Sequence, residues 1–205
     1  MGVKGYENGF KLTLLPERLE EPHLRKQPTT YFVNSMSDLF HEDIPDTYIH
    51  EVMDIIRQSP QHTFQILTKR AERMADFFHC HPQPPFNVWL GVTVENRAYG
   101  MPRIDYLREI DICIRFISAE PLLEDLGDIN LTGIHWVIVG GESGLRARPM
   151  SRDWILNIKK QCDDRKVAFF FKQWGGWGPD GKKRPKKKNG RLLDGQTWDA
   201  VPVAG

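Results

Sequence analysis

Six segments of this chain share one pattern, a short apolar run that ends in polar or charged residues. They are YFVNSMSD (Tyr31 to Asp38), FQILTKR (Phe64 to Arg70), VWLGVTVEN (Val88 to Asn96), IRFISAEP (Ile114 to Pro121), HWVIVGGESG (His135 to Gly144) and VAFFFKQWGG (Val167 to Gly176). A run such as Trp136-Val137-Ile138-Val139 is β-branched and aromatic with no polar alternation, which is how a strand buried on both faces reads. The polar tails are then strand ends, and all of them are carboxyl ends.

Helical periodicity fills most of the gaps. In DTYIHEVMDIIRQS, Tyr48, Val52, Ile55 and Ile56 fall on one face behind Asp46 as the N-cap candidate. In SRDWILNIKKQCDDRK, Ser151 is the N-cap candidate and Trp154, Ile155, Ile158 and Cys162 form the buried side. KRAERMADFFHC and GMPRIDYLREI supply two more helices, whereas the connection from Ile117 to Trp136 has room for little more than two helical turns. Strands alternating with helices imply an α/β fold with a parallel sheet, and long buried strands favour a TIM-like (β/α) barrel over an open sheet. Such a barrel builds its active site from the loops after its strands.

A complete eightfold barrel needs about 250 residues, and this chain has 205. With GFKLTLLPERL as a short seventh strand ending near Pro16, the expectation is an incomplete barrel of seven units that lacks the first βα unit. The barrel occupies residues 1–177, and residues 178–205 form a basic loop and tail. Without its first strand the sheet should present two open edges, a liability for pairing with another chain.

Hydrophobic residues make up 40% of the chain, enough for one core, and the formal net charge of +1 carries no global nucleic-acid signature. No apolar run approaches the ~20 residues of a membrane span and no signal peptide opens the sequence, so a cytoplasmic protein is expected. Cys80, Cys113 and Cys162 are too widely spaced for a disulfide framework or a Cys-x2-Cys metal site, and Cys113 and Cys162 read as core residues. HCHP (His79 to Pro82) invites a metal, but neighbouring side chains at a helix end converge poorly.

After Trp177 the chain changes character. GPDGKKRPKKKNGR is broken by glycine and proline, which argues against helix or core strand and for an exposed basic loop. A solvated surface is one reading. The other is a phosphate or nucleic-acid contact through Lys182, Lys183, Lys186, Lys187 and Lys188, with Trp174, Trp177 and Trp198 available to stack on bases.

The blocks YFVNSMSDLFHEDIP, HTFQILTKRAERM, VWLGVTVEN, GIHWVIVGGESG, ARPM, FFFKQWGGW and GRLLDGQTWD resemble, in order and over nearly the whole chain, a phage- and prophage-associated family of unknown function. Its full-length members are similar to radical S-adenosylmethionine enzymes. The resemblance implies a 4Fe-4S cluster held by a three-cysteine motif upstream of GVKGYENGF, together with S-adenosylmethionine and an unidentified substrate. This chain lacks that cysteine segment, and none of its own cysteines replaces it, so it is expected to be inactive alone.

The cofactor role that the resemblance implies would fall to strand-end polar residues: Asn34, Ser35 and Asp38 for an amine or hydroxyls, Glu95 and Asn96 for a ribose diol or an ammonium group. Glu120 and Glu142 end adjacent strands, so their carboxylates could meet and raise one pKa for acid or base work, or each could be bound by Lys69, Lys172, Arg146 or Arg148. Gly140 and Gly141 indicate close backbone approach. Two further readings need no cluster: Lys69 or Lys172 as a Schiff-base nucleophile, and a nucleic-acid-binding or accessory phage protein that works through its basic loop. A protein partner encoded nearby is compatible with each.

Overall fold

A computed structural model describes residues 12–34, 37–81 and 83–203. Strands β1 (Thr30–Val33), β2 (Thr63–Thr68), β3 (Val88–Thr93), β4 (Ile114–Ala119), β5 (Trp136–Gly140) and β6 (Ala168–Gln173) form one parallel sheet in sequential order. The sheet curls into a half-barrel flanked by helices. The helices are α1 (Glu21–Leu24), α2 (Asp46–Arg57), α3 (Ala71–Cys80), α4 (Arg97–Glu109), α5 (Arg152–Arg165) and α6 (Lys186–Asn189).

Side-chain alternation sorts the strands onto two faces. Phe64, Ile66, Leu90, Val92, Ile117, Val139 and Phe171 point outward into one large core shared with the helices. Trp89, Ile114, Phe116 and Trp136 point inward and form a second cluster with Leu67, Ile138, Ala168 and Phe170. Trp136 meets Trp89 and Phe170 edge-on, with centroids 6.0 and 5.9 Å apart. Gly91 is required here, because a Cβ on it would lie 2.4 Å from the Phe116 ring. Burying a side chain such as Phe116 contributes about 1.5–3 kcal/mol relative to leaving it in water.

The helices follow their sequence patterns with adjustments. α2 buries Ile49, Val52, Met53 and Ile56, an i, i+3, i+4, i+7 stripe. The expected face, through Tyr48 and Ile55, is therefore rotated by about one residue, and the Tyr48 hydroxyl reaches the backbone of Leu15 instead. α4 is capped by Asn96, whose side chain accepts from the Tyr99 amide at 2.9 Å. α5 is capped by Ser151 and stopped by Lys166 in the left-handed conformation. No helix lies between β4 and β5; Leu122, Leu126, Ile129, Leu131 and Ile134 of that loop are buried and cover the sheet directly.

Several expectations are corrected. Leu12 to Leu15 are not a strand and Pro16–Arg18 is a single 3-10 turn; the remainder of the anticipated seventh strand lies outside the described residues. Cys162 is buried, but Cys113 is exposed in the loop that enters β4. The basic loop does contain a helix, the single turn α6, which begins after Pro185 and ends at Gly190 with φ 69°. The edge of β6 is not left open, because the tail lies along it: the Phe171 amide donates to the Trp198 carbonyl at 2.9 Å and Trp136 Nε1 donates to the Ala200 carbonyl at 2.8 Å. Leu193 is fully buried in the outer core. Trp174 is unavailable for stacking on bases, since it is 2% exposed and its Nε1 donates to the Leu192 carbonyl. Among the described residues no helix is long and apolar enough to cross a membrane.

Candidate ligand site at the carboxyl ends of the strands

Continuing the inward alternation past the aromatic cluster reaches polar residues on or after four strands: Lys69 after β2, Thr93 and Glu95 on and after β3, Ser118 and Glu120 on and after β4, Lys172 on β6. Thr93 and Ser118 are paired in register and both are buried. The inner face is therefore a bowl with an apolar floor and a polar rim.

Three ion pairs, made by two carboxylates, occupy the rim. Lys69 Nζ donates to Glu95 Oε1, and Arg103 from α4 donates to Glu95 Oε2 and to the Thr93 carbonyl, both at 2.7 Å. Burial would raise the Glu95 pKa, but the hydrogen bonds from Lys69, its own backbone and Arg103 outweigh it, and the carboxyl sits below its ordinary value. Glu120 accepts from Ser118 Oγ at 3.1 Å and from Lys172 Nζ at 3.3 Å. Its carboxylate lies across Gly140, where a Cβ would be 2.5 Å from Oε1.

Glu142 is held apart from Glu120 by its own cation. Arg148 clamps it with Nε and Nη2, each at 2.9 Å, and with its backbone amide at 2.8 Å. The Arg148 hydrogen bonds lower the Glu142 pKa to about 2, so it is a fixed carboxylate at neutral pH. The two glycines before it serve packing: a Cβ on Gly141 would lie 2.0 Å from the Trp174 carbonyl oxygen, and the Gly141 amide donates to the Gln173 carbonyl. Close backbone approach between the loops after β5 and β6 explains the second glycine of GGES, whereas the first, Gly140, faces the Glu120 carboxylate.

Asp38 gathers four donors: Thr68 Oγ1, the Phe40 and Lys69 amides, and Arg70 Nη1, between 2.7 and 3.1 Å. It ties the loop after β1 to the end of β2. Asn34 adopts φ 56° and donates to Ser37 Oγ; Ser35 lies outside the described residues. Asn96 is placed by its capping role. Beside the rim, an open cleft of about 470 Å³ between α3 and α4 is lined by Phe40, Lys69, Arg70, Tyr99, Arg103 and Tyr106, among others. A smaller hollow near Phe86 and Cys113 lies at the opposite, amino end of the strands, the face of such folds that serves stability more than chemistry.

Ser118, Arg103 and Arg70 were not among the residues singled out from sequence. Ser118 stands two residues before Glu120, so strand period alone places both on one face. Arg103 carried no local signal, because it arrives from the neighbouring helix. The three cysteines do not converge: Cys80 ends α3, Cys113 precedes β4 and Cys162 is inside α5. Among the described residues no three His, Cys, Asp or Glu side chains converge on a metal-sized site. An iron–sulfur cluster therefore does not fit this chain's own cysteines.

Residues 2–202 match a protein family of unknown function, DUF5131. The chain belongs to the DUF5131 family. No curated protein and no solved structure is similar enough to match it. In this DUF5131 member the rim of the six-stranded curled sheet gathers the lysine–carboxylate pairs of the inner face.

Proposed function

We propose that the rim of this half-barrel is the ligand site of a phage-associated, radical S-adenosylmethionine-like barrel domain, an incomplete (β/α) barrel that recognises a small zwitterionic molecule. The observation that carries the reading is the alternation of two lysine–carboxylate pairs, Lys69–Glu95 and Lys172–Glu120, on the inner face above an apolar floor. A ligand with an ammonium and a carboxylate exchanges partners with such pairs, Lys69 or Lys172 taking its carboxylate and Glu95 or Glu120 its ammonium. An apolar or planar part of the ligand would rest on Leu67, Ile138 and Phe170, which are the less buried members of the floor.

S-adenosylmethionine has the matching amino-acid end, and Ser118 with Glu120 offers an acceptor pair for its ribose hydroxyls. When bound beside a reducing cluster it supplies a radical that abstracts hydrogen; without cluster ligands in this chain, the residues here bind and orient only. Hydrogen bonding of both lysines to carboxylates supports binding over Schiff-base chemistry, which uses an amine desolvated in an apolar pocket or set beside another cation.

Calorimetric titration of S-adenosylmethionine and S-adenosylhomocysteine into the wild type, Glu95→Gln and Glu120→Gln tests this. The expected result is saturable binding by the wild type that weakens about tenfold or more in each variant, the scale of one lost charge-assisted hydrogen bond. Absence of binding by the wild type at millimolar ligand, or binding by both variants as tight as that of the wild type, rejects the rim as the site.

A further inference from the structure

The loops after β5 and β6 form a single electropositive lip beside the rim. Residues 178–191 carry seven basic residues against one acid, Asp180, and that acid is consumed by Arg184 at 2.8 Å. Because the whole chain is only +1, everything outside this segment is net acidic. The positive charge is concentrated, not spread.

The lip is also built. Trp177 Nε1 donates to the Ala147 carbonyl at 2.7 Å, Lys183 Nζ donates to the Leu145 carbonyl, and Asn189 Nδ2 donates to the Gly175 carbonyl at 3.0 Å. The first two bonds seat the loop after β6 on the loop after β5, and the third ties the basic segment to its own stem. The one-turn helix α6 then presents Lys186, Lys187 and Lys188 to solvent, with Lys182 and Arg146 exposed on the two loops and, among the described residues, no carboxylate paired to any of the five. Lysines held by a fixed loop and left without acidic partners keep their full charge for a ligand.

We propose that this lip binds the phosphodiester backbone of a nucleic acid, independently of whatever small molecule the rim takes. A polymer is favoured because the free cations line two adjacent loops instead of converging on one point. A nucleic acid is favoured over a membrane because Leu145, 94% exposed, is the one large apolar side chain standing out from the loop after β5, and α6 has no apolar face. Recognition would be of phosphate and not of base, since Trp177 is half-buried with Lys183 over its ring and Trp174 is in the core.

The test is fluorescence anisotropy of a labelled single-stranded oligonucleotide of about 20 nucleotides, titrated at several salt concentrations starting near 50 mM. Wild type is compared with Lys186→Ala/Lys187→Ala/Lys188→Ala and with a control, Lys26→Ala/Arg165→Ala, that removes exposed cations elsewhere. Support is wild-type binding that the triple variant weakens at least about tenfold, with the logarithmic salt slope reduced by about 2, the value for three lost phosphate contacts on a single strand. The triple variant should melt like the wild type, since no partner of these lysines is removed. The proposal is overturned by absence of wild-type binding, by an equal loss in the control, or by tighter binding to phosphatidylserine vesicles than to the oligonucleotide. Loss of S-adenosylmethionine binding with oligonucleotide binding intact would sink the rim reading and leave the lip.

Discussion

At the scale of single residues, the glycines and the Arg148 clamp have separable effects. Gly141→Ala puts a Cβ against a backbone carbonyl at 2.0 Å that no side-chain rotation relieves, so we expect a loss of about 3 kcal/mol or more in urea unfolding, in the range of severe backbone clashes. Glu142→Gln acts through charge. The Glu142 pKa in the folded protein, about 2, lies below its ordinary 4.5, so the pair's contribution is present in full above about pH 5 and is lost as pH falls toward 2. Arg148 is 60% exposed, and solvent screening reduces the effect to the order of 1 kcal/mol. The stability difference between wild type and Glu142→Gln should therefore shrink steadily on acidification; a difference that grows or stays constant would contradict the assignment. From sequence, close approach at Gly141 was legible because only glycine lacks a Cβ, but the Trp174 carbonyl that requires it was not; at Gly140 the neighbour is the Glu120 carboxylate and not backbone.

At the scale of elements, the tail behaves as an edge cover. It bridges β6 at Phe170 opposite Asp199, Arg191 lies over the Phe170 ring and pairs with Asp199, and Arg152 clamps Asp194 through two hydrogen bonds at 2.7 Å. Removing residues 196–205 should uncover the β6 edge and leave the Trp136 indole without its acceptor. We expect a lower melting temperature and concentration-dependent association by light scattering; a monomeric variant with wild-type melting would show that the edge needs no cover. Glycine and proline in GPDGKKRPKKKNGR argue for a loop, yet the turn α6 forms within it because Pro185 favours a helix start as much as it forbids a helix interior.

At the scale of the whole molecule, all three thiols are free, and the fold separates them by access. Burial raises the Cys162 thiol to about 12, while Cys80 and Cys113 are exposed. A disulfide-exchange thiol reagent near pH 8 should titrate two groups in the native protein and a third only in denaturant, since thiolate fraction and access set the rate. Rapid reaction of all three under native conditions would mean that the outer core around α5 opens easily. Cys113 shows the limit of reading burial from sequence: it is flanked by isoleucines, but it sits in the entry loop one residue before β4 starts.

By itself the sequence determined the six strands, their parallel character and the concentration of polar residues at one end. Those properties follow from local periodicity and from the need of each crossover for a helix or a covering loop. Only the tertiary structure decided which cation meets which carboxylate, because Lys69–Glu95 and Lys172–Glu120 join residues 26 and 52 positions apart. Such pairings depend on how the strand ends converge as the sheet curls, and no local pattern encodes that distance. The same holds for the tail, whose carbonyls satisfy Trp136 and Trp174 across the fold: an indole announces that it needs an acceptor, and only packing says which one it finds.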